Sequence, residues 1–397
     1  MFKNVYEIEY LVGKKIPSSN PFVPYDKIIC DFLASFSKEL IKEKKIKNFP
    51  ELKSLSFWCR KANLEILKKN NLSKFTRLGL GLLFHITPSN IPTNFIYSLI
   101  FGLLTGNSNI VKVPTKKFNE IEIICSVLNK VLKNDKFKKI KDRILIIRYK
   151  DRDDFTKEIS SQCDGRIIWG GDKTIQSIRK FKIKEKTQDF TFPDRYSFCV
   201  INTKTLPKIN NKVYKNLAKK FYNDTFLVDQ NACSSPHLII WYGKKDLRKQ
   251  NFFWRNVFDV SKEKYDLSER AVMEKYNELC NKMIESKELK LRKNYDNLIY
   301  TIKVKKIFPG IDNLRGKWGL FYEYYMKNFK DLSLIINHKY QTLTYHGFKK
   351  EFLKKFVVHN NLKGIDRIVP IGSALDIGLI WDGYDLNKSL TRIIDIK

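Results

Sequence analysis

Residues 80–114 constrain the chain more than any other stretch. They read LGLLFHITPSNIPTNFIYSLIFGLLTGNSNIVKVP. The apolar run over 80–86 is bounded by Thr87 and Pro88, as a fully buried strand would be. Pro92 is placed where a first helical position tolerates proline. Ile91, Phe95, Leu99 and Leu103 then keep helical spacing up to the glycines at 102 and 106. Residues 110–113 form a second apolar strand. A β-loop-α-β unit results, whose loop over 87–93 lies beyond the carboxyl end of a parallel strand, where open α/β sheets bind ligands.

The same alternation continues. A helix is expected over 118–132, with Ile121, Ile124, Val127, Leu128 and Val131 facing a core, then strands over 144–147 and 166–169. Gly170-Gly171 precede a helix that Asp172 is expected to cap. Further strands are expected over 196–202, 237–241, 298–304, 341–344 and 391–396. Helices are expected over 206–221 and 261–286. Ahead of the sheet, residues 1–24 form an extended lead-in, followed by helical spacing at Ile28, Phe32, Phe36 and Leu40 and again at Leu55, Trp58, Leu64 and Leu67. Strand and helix in alternation predict a doubly wound α/β sheet.

Composition narrows the function classes. At 397 residues, with 43% hydrophobic residues, the chain can bury two domains. Lys and Arg outnumber Asp and Glu by 75 to 42. This excess is dispersed in short runs among apolar residues, which fits solvated faces or attraction of an anionic carrier or partner protein better than nucleic acid. Seven cysteines without a CxxC pair imply neither a zinc knuckle nor a disulfide framework. The five histidines are not spaced as ligands, so no metal is expected. No signal peptide and no membrane span are expected, and the protein is expected to be a cytoplasmic homo-oligomer.

Several motifs together resemble the aldehyde dehydrogenase superfamily. Pro88-Ser89-Asn90-Ile91-Pro92 matches its Pro-x-Asn-x-Pro turn, and Gly106-Asn107 and Lys112-Val113-Pro114 match the segments that follow. With Asp229-Gln230-Asn231-Ala232-Cys233-Ser234-Ser235-Pro236, Gln341-Thr342-Leu343-Thr344-Tyr345-His346-Gly347 and Arg367-Ile368-Val369-Pro370-Ile371-Gly372, the likeness sharpens to the fatty acyl-CoA reductases. That family includes the reductase component of the bacterial bioluminescence fatty acid reductase complex. The resemblance implies an aldehyde dehydrogenase-like fold with a Rossmann-type cofactor domain and an α/β catalytic domain. These are expected over 1–205 and 206–375, with a bridging segment over 376–397.

It also implies roles. Cys233 would be the nucleophile, and its small, polar loop suits an exposed thiol; the other six cysteines are expected in the core. Asn90 would join the Cys233 amide as an oxyanion donor, the alternative being an Asx bond that only shapes its turn. Lys112 would reach the adenosine ribose, with Thr87, Pro88, Gly170 and Gly171 also against the cofactor. NAD-preferring relatives carry Glu where this chain has Thr115, followed by Lys116 and Lys117. A carboxylate there would repel a 2′-phosphate, so NADPH is expected, unless the two lysines are only surface charges. His237 could activate the thiol or be a structural histidine. The relatives' Glu-Leu-Gly-Gly, whose Glu activates water, is missing from residues 188–195, although Asp189 or Asp194 could substitute.

The activity implied is NADPH-dependent reduction of a fatty acyl thioester, from CoA or an acyl carrier, to the aldehyde. An acyl-protein synthetase is a possible partner. The alternative is an NAD(P)-linked aldehyde oxidoreductase or acyl-phosphate reductase on the same scaffold.

Overall fold

A computed structural model of the chain describes residues 8–71, 73–150, 152–208 and 210–397. It resolves into two compact units, one of residues Met1–Pro193 with Leu379–Lys397, the other of Asp194–Gly378. The division falls before the expected 205 because strand 196–202 hydrogen-bonds into the second unit's sheet. The tail, expected to bridge, belongs to the first unit.

The first unit's strands are β1 (Glu9–Val12), β2 (Thr76–Gly79), β3 (Leu82–Ile86), β4 (Ser108–Lys112), β5 (Ile144–Arg148), β6 (Gly165–Trp169) and β7 (Gln188–Phe192). Its sheet runs β1-β5-β4-β3-β6-β7, all parallel except β1, which pairs antiparallel with β5. All five residues of β3 are buried, as a strand with neighbours on both sides and covered faces requires. The order reverses at β3: the chain moves outward through β4 and β5, then returns to lay β6 on the other side. That is a topological switch point, and ligands bind outside the carboxyl ends there.

Among the described residues before 194, the helices are α1 (Lys27–Lys42), α2 (Pro50–Trp58), α3 (Lys61–Asn70), α4 (Asn94–Leu104), α5 (Asn119–Leu132), α6 (Lys138–Lys141), α7 (Asp153–Gln162) and α8 (Asp172–Arg179). The Asp26 carboxylate caps α1 by accepting from the Ile28 amide at 2.8 Å, and the helix buries Ile29, Phe32, Leu33, Phe36 and Leu40. Helix α5 buries the apolar positions expected of it. Four expectations need correction. The lead-in contains strand β1, with residues 1–7 outside those described. The spacing from Leu55 to Leu67 is split between α2 and α3. Pro92 stands in the turn ahead of α4, whose N-cap is Thr93. Asp172 is the first helical residue, exposed and not a cap; the N-cap is Gly171.

The second unit has β8 (Tyr196–Asn202), β9 (Pro236–Tyr242), β10 (Leu289–Tyr295), β11 (Ile299–Val304), β12 (Leu320–Met326), β13 (Tyr340–His346) and β14 (Arg367–Pro370). They order β10-β11-β12-β9-β8-β13-β14, parallel but for the antiparallel edge β10. Alternation along β8 builds two cores: Tyr196, Phe198 and Val200 enter one, Cys199 and Ile201 the other. Its helices are α9 (Asn211–Thr225), α10 (Leu247–Lys264), α11 (Glu269–Glu285) and α12 (Lys350–His359). The helix expected over 261–286 is thus two. Tyr265 leaves α10 in extended conformation, and the Ser268 hydroxyl starts α11 by accepting from the Ala271 amide. At the tail, β15 (Ile380–Trp381) pairs with β16 (Tyr384–Asp385), and β17 (Thr391–Ile394) pairs antiparallel with β2.

Candidate active site

In the second unit the chain leaves α9 and places Asp229 and Gln230 consecutively in left-handed conformation, φ 53° and 61°. Neither is glycine, so this reversal is maintained by what Gln230 binds. Its side-chain amide is buried. It donates to the Pro236 carbonyl at 3.1 Å and the Leu320 carbonyl at 3.2 Å, and accepts from the Gly319 amide at 3.3 Å. Gly316 lies against the same place, where an added Cβ would stand 1.6 Å from the Leu320 carbonyl oxygen.

Two serines secure the turn that follows. The Ser197 hydroxyl on β8 donates to the Cys233 carbonyl at 2.6 Å, and the Ser235 hydroxyl donates to the Asp224 carbonyl at 2.7 Å. Asp224, buried at the end of α9, accepts from the amides of Gly372 at 2.6 Å and Ala374 at 2.8 Å, and burial pushes its carboxyl up to about 7. Arg367 on β14 donates to the carbonyls of Ser373, Ala374 and Asp376. Ser197 also accepts from the Thr342 amide. The three long motifs, around 233, 342 and 370, are therefore joined through Asp224 and Ser197.

Cys233 stands half-buried in this turn, just ahead of β9. Cys59, Cys125, Cys163 and Cys199 are buried, and burial pushes the Cys163 and Cys199 thiols up to about 12. Cys30 and Cys280 are half-buried, so four cysteines, and not the expected six, are fully in the core. The Cys233 sulfur lies 3.9 Å from Asp194 Oδ1. That oxygen also accepts from Arg315 Nη1 at 2.8 Å, while Arg315 Nη2 donates to the Arg195 carbonyl at 2.9 Å. Asp189, the other carboxylate of the segment, is instead paired with Arg166 in the first unit.

His237 is buried, with Nδ1 3.1 Å from the Gly316 carbonyl oxygen and its ring stacked on Tyr196. Burial, then the nearby Arg315 charge, lower its pKa from 6.5 to about 3. A ring so enclosed is neutral at neutral pH and ties down the 315–316 backbone, as the structural reading of this histidine has it.

In the first unit, the loops after β3 and β6 border the switch point. Thr87 donates its hydroxyl to the Lys112 carbonyl at 2.8 Å, joining the ends of β3 and β4. Asn90 is exposed in the bend beyond. The Lys112 ammonium lies 4.9 Å from the Tyr149 ring centre, and Thr115, Lys116 and Lys117 are exposed. At Gly171 an added Cβ would meet nothing within 4 Å, so packing does not demand glycine there. Open backbone before a helix, at a switch point, with a lysine at the end of β4 two strands away, fits a dinucleotide's phosphates and ribose.

Among the described residues no group of three or more His, Cys, Asp or Glu could hold a metal, and no helix is long and apolar enough to cross a membrane. Gln230, Ser197, Asp224 and Arg315 were not predicted as parts of the site. Gln230 lies within the cysteine motif with no role assigned to it, and the partners of the four in the site stand 6 to 150 residues away, so no local pattern marks these contacts.

Solved structures share the fold. Proline utilization A from Bradyrhizobium japonicum superposes with a TM-score of 0.65 at 12% identity, over 94% of this chain and 43% of that one. Lactaldehyde dehydrogenase from Escherichia coli gives 0.59 at 10%, over 86% and 78%. Staphylococcus aureus AldH gives 0.61 at 11%, over 92% and 88%. In sequence, the Vibrio harveyi long-chain acyl-protein thioester reductase is 23% identical over 323 residues, which are 79% of this chain and 63% of that protein, so the match spans less than two thirds of the relative. The family model described as acyl-CoA reductase (LuxC) matches residues 24–266, well over half of the chain, and the protein belongs to that family.

Proposed function

We propose that the protein reduces a fatty acyl thioester to the fatty aldehyde through an acyl-enzyme on Cys233, with a preference for NADPH. The observation that carries this reading is the half-buried thiol of Cys233, in a turn fixed by Gln230, Ser197 and Ser235, in a member of the acyl-CoA reductase family. The unit Met1–Pro193 with Leu379–Lys397 would hold the cofactor, and the unit Asp194–Gly378 would do the covalent chemistry.

The Cys233 thiolate attacks the acyl carbon, the donor's C–S bond breaks, and the carrier thiol leaves with a proton. Negative charge that develops on the acyl oxygen needs donors placed in advance, a role that the resemblance assigns to the Cys233 amide and the Asn90 side chain. A bound nicotinamide cofactor supplies the hydride that reduces the acyl group. Cys233 then leaves as the thiol when the aldehyde departs. Lys112, Gly170, Gly171, Thr87 and Pro88 would hold the cofactor, and Thr115 with Lys116 and Lys117 would accept a 2′-phosphate that a carboxylate would repel.

The formal charge of +33 favours anionic donors, acyl-CoA or an acylated carrier protein, and a soluble cytoplasmic homo-oligomer supplied by an acyl-protein synthetase fits the same reading. The test is incubation of the protein with a series of acyl-CoA thioesters and either NADPH or NADH. Fatty aldehyde formed in step with NADPH consumption supports the reading, and absence of aldehyde with every donor overturns it.

A further inference from the structure

We propose that Arg315 is a positioning residue that occupies the Asp194 carboxylate beside Cys233 and so protects the acyl-enzyme from hydrolysis. This inference rests on the acyl-enzyme reading above. It concerns what happens to the acyl group once it is on sulfur.

A thioester beside an available carboxylate is vulnerable. The carboxylate takes a proton from water, the water oxygen attacks the acyl carbon, the C–S bond breaks, and the acid leaves as the sulfur regains the proton. Such general-base assistance is worth roughly 10² to 10⁴ in rate. Asp194 stands in the right place for that, since Oδ1 is 3.9 Å from Sγ. Water also reaches it, because its side chain is 55% exposed.

What distinguishes the site is that the oxygen facing sulfur is the one Arg315 holds. Nη1 donates to Oδ1 at 2.8 Å. Arg315 is itself fixed: Nη2 donates to the Arg195 carbonyl at 2.9 Å, the guanidinium stands 5.9 Å from the Tyr196 ring centre, and the next residue, Gly316, is tied to His237. The guanidinium thus comes from a braced loop and meets the carboxylate with a directed N–H. With Oδ1 engaged, water near the acyl sulfur lacks its nearest proton acceptor, and the acyl group waits for hydride.

The test measures the ratio of fatty acid to fatty aldehyde from acyl-CoA and NADPH, with intact-protein mass to register the acyl-enzyme. Arg315→Met should raise the acid-to-aldehyde ratio at least about tenfold. Arg315→Lys, which keeps one donor, should stay within about threefold of wild type, and Arg315→Met combined with Asp194→Asn should return to that range. Asp194→Asn alone should also leave the ratio within about threefold, which tests the idea even if Arg315→Met fails to fold. A ratio unmoved by Arg315→Met, a rise that persists in the double variant, or a large fall in Asp194→Asn each overturns the proposal. No acyl adduct on the wild-type protein would instead refute the acyl-enzyme reading itself.

Discussion

Replacing Gln230 with Leu tests how the cysteine turn is held. The two side chains are of similar size, so the substitution leaves little cavity and removes three hydrogen bonds, to the Pro236 and Leu320 carbonyls and from the Gly319 amide. All three groups are buried with Gln230, and a buried polar group left unpaired costs about 1–3 kcal/mol. Carbonyls keep a second lone pair for other partners, so their share lies at the low end. The sum is about 3 kcal/mol, large for a single substitution without a cavity. Two consecutive left-handed residues would also lose their anchor. Urea unfolding followed by tryptophan fluorescence should show that loss, and acylation by acyl-CoA should slow in the folded variant. A loss below about 1 kcal/mol with unchanged acylation would mean that something other than Gln230 holds the turn.

Asn90→Ala should slow acylation by about 10² or more in rapid-quench measurements, because an oxyanion donor acts in the transition state; a change below about threefold would return Asn90 to shaping its turn. Thr115→Glu should shift the preference from NADPH toward NADH by about 10- to 150-fold in affinity, measured by titrating both cofactors, and an unmoved ratio would misplace the adenosine pocket. His237 contributes stability that is fully present above 6.5 and is lost as pH falls from 6.5 toward about 3, since the unfolded state takes up a proton that the buried ring refuses. His237→Gln should therefore show a smaller fall in urea midpoint between about pH 7 and about pH 5 than wild type, by the equivalent of about 2 kcal/mol. An equal fall in both would assign the acid sensitivity elsewhere.

The α/β class was legible because β3 and β5 are mostly apolar runs, β4 carries Ile110-Val111 at its centre, and α5 keeps its buried positions at 3.6-residue spacing. Burial rewards those patterns directly. Helix α7 escaped notice because it buries only Thr156, Ile159 and Ser160. The break between α10 and α11 was hidden because Ala271 and Leu279 continue a helical apolar pattern, while the stop itself is only the four residues Tyr265 to Ser268, closed by a serine cap. In the second unit, Cys233 could be picked out through its motif. Arg315 could not, since 121 residues separate it from Asp194 and only the folded sheet brings them together. The same holds for Gln230 and Leu320, 90 residues apart.

The most direct test of the account is to treat the protein with a long-chain acyl-CoA in the absence of reductant, digest it, and locate the acyl group by peptide mass spectrometry. A single thioester is expected on the peptide bearing Cys233, discharged as aldehyde when NADPH is added and absent from the Cys233→Ser variant. An acyl group on another residue, or aldehyde formed at the wild-type rate by Cys233→Ser, would contradict it.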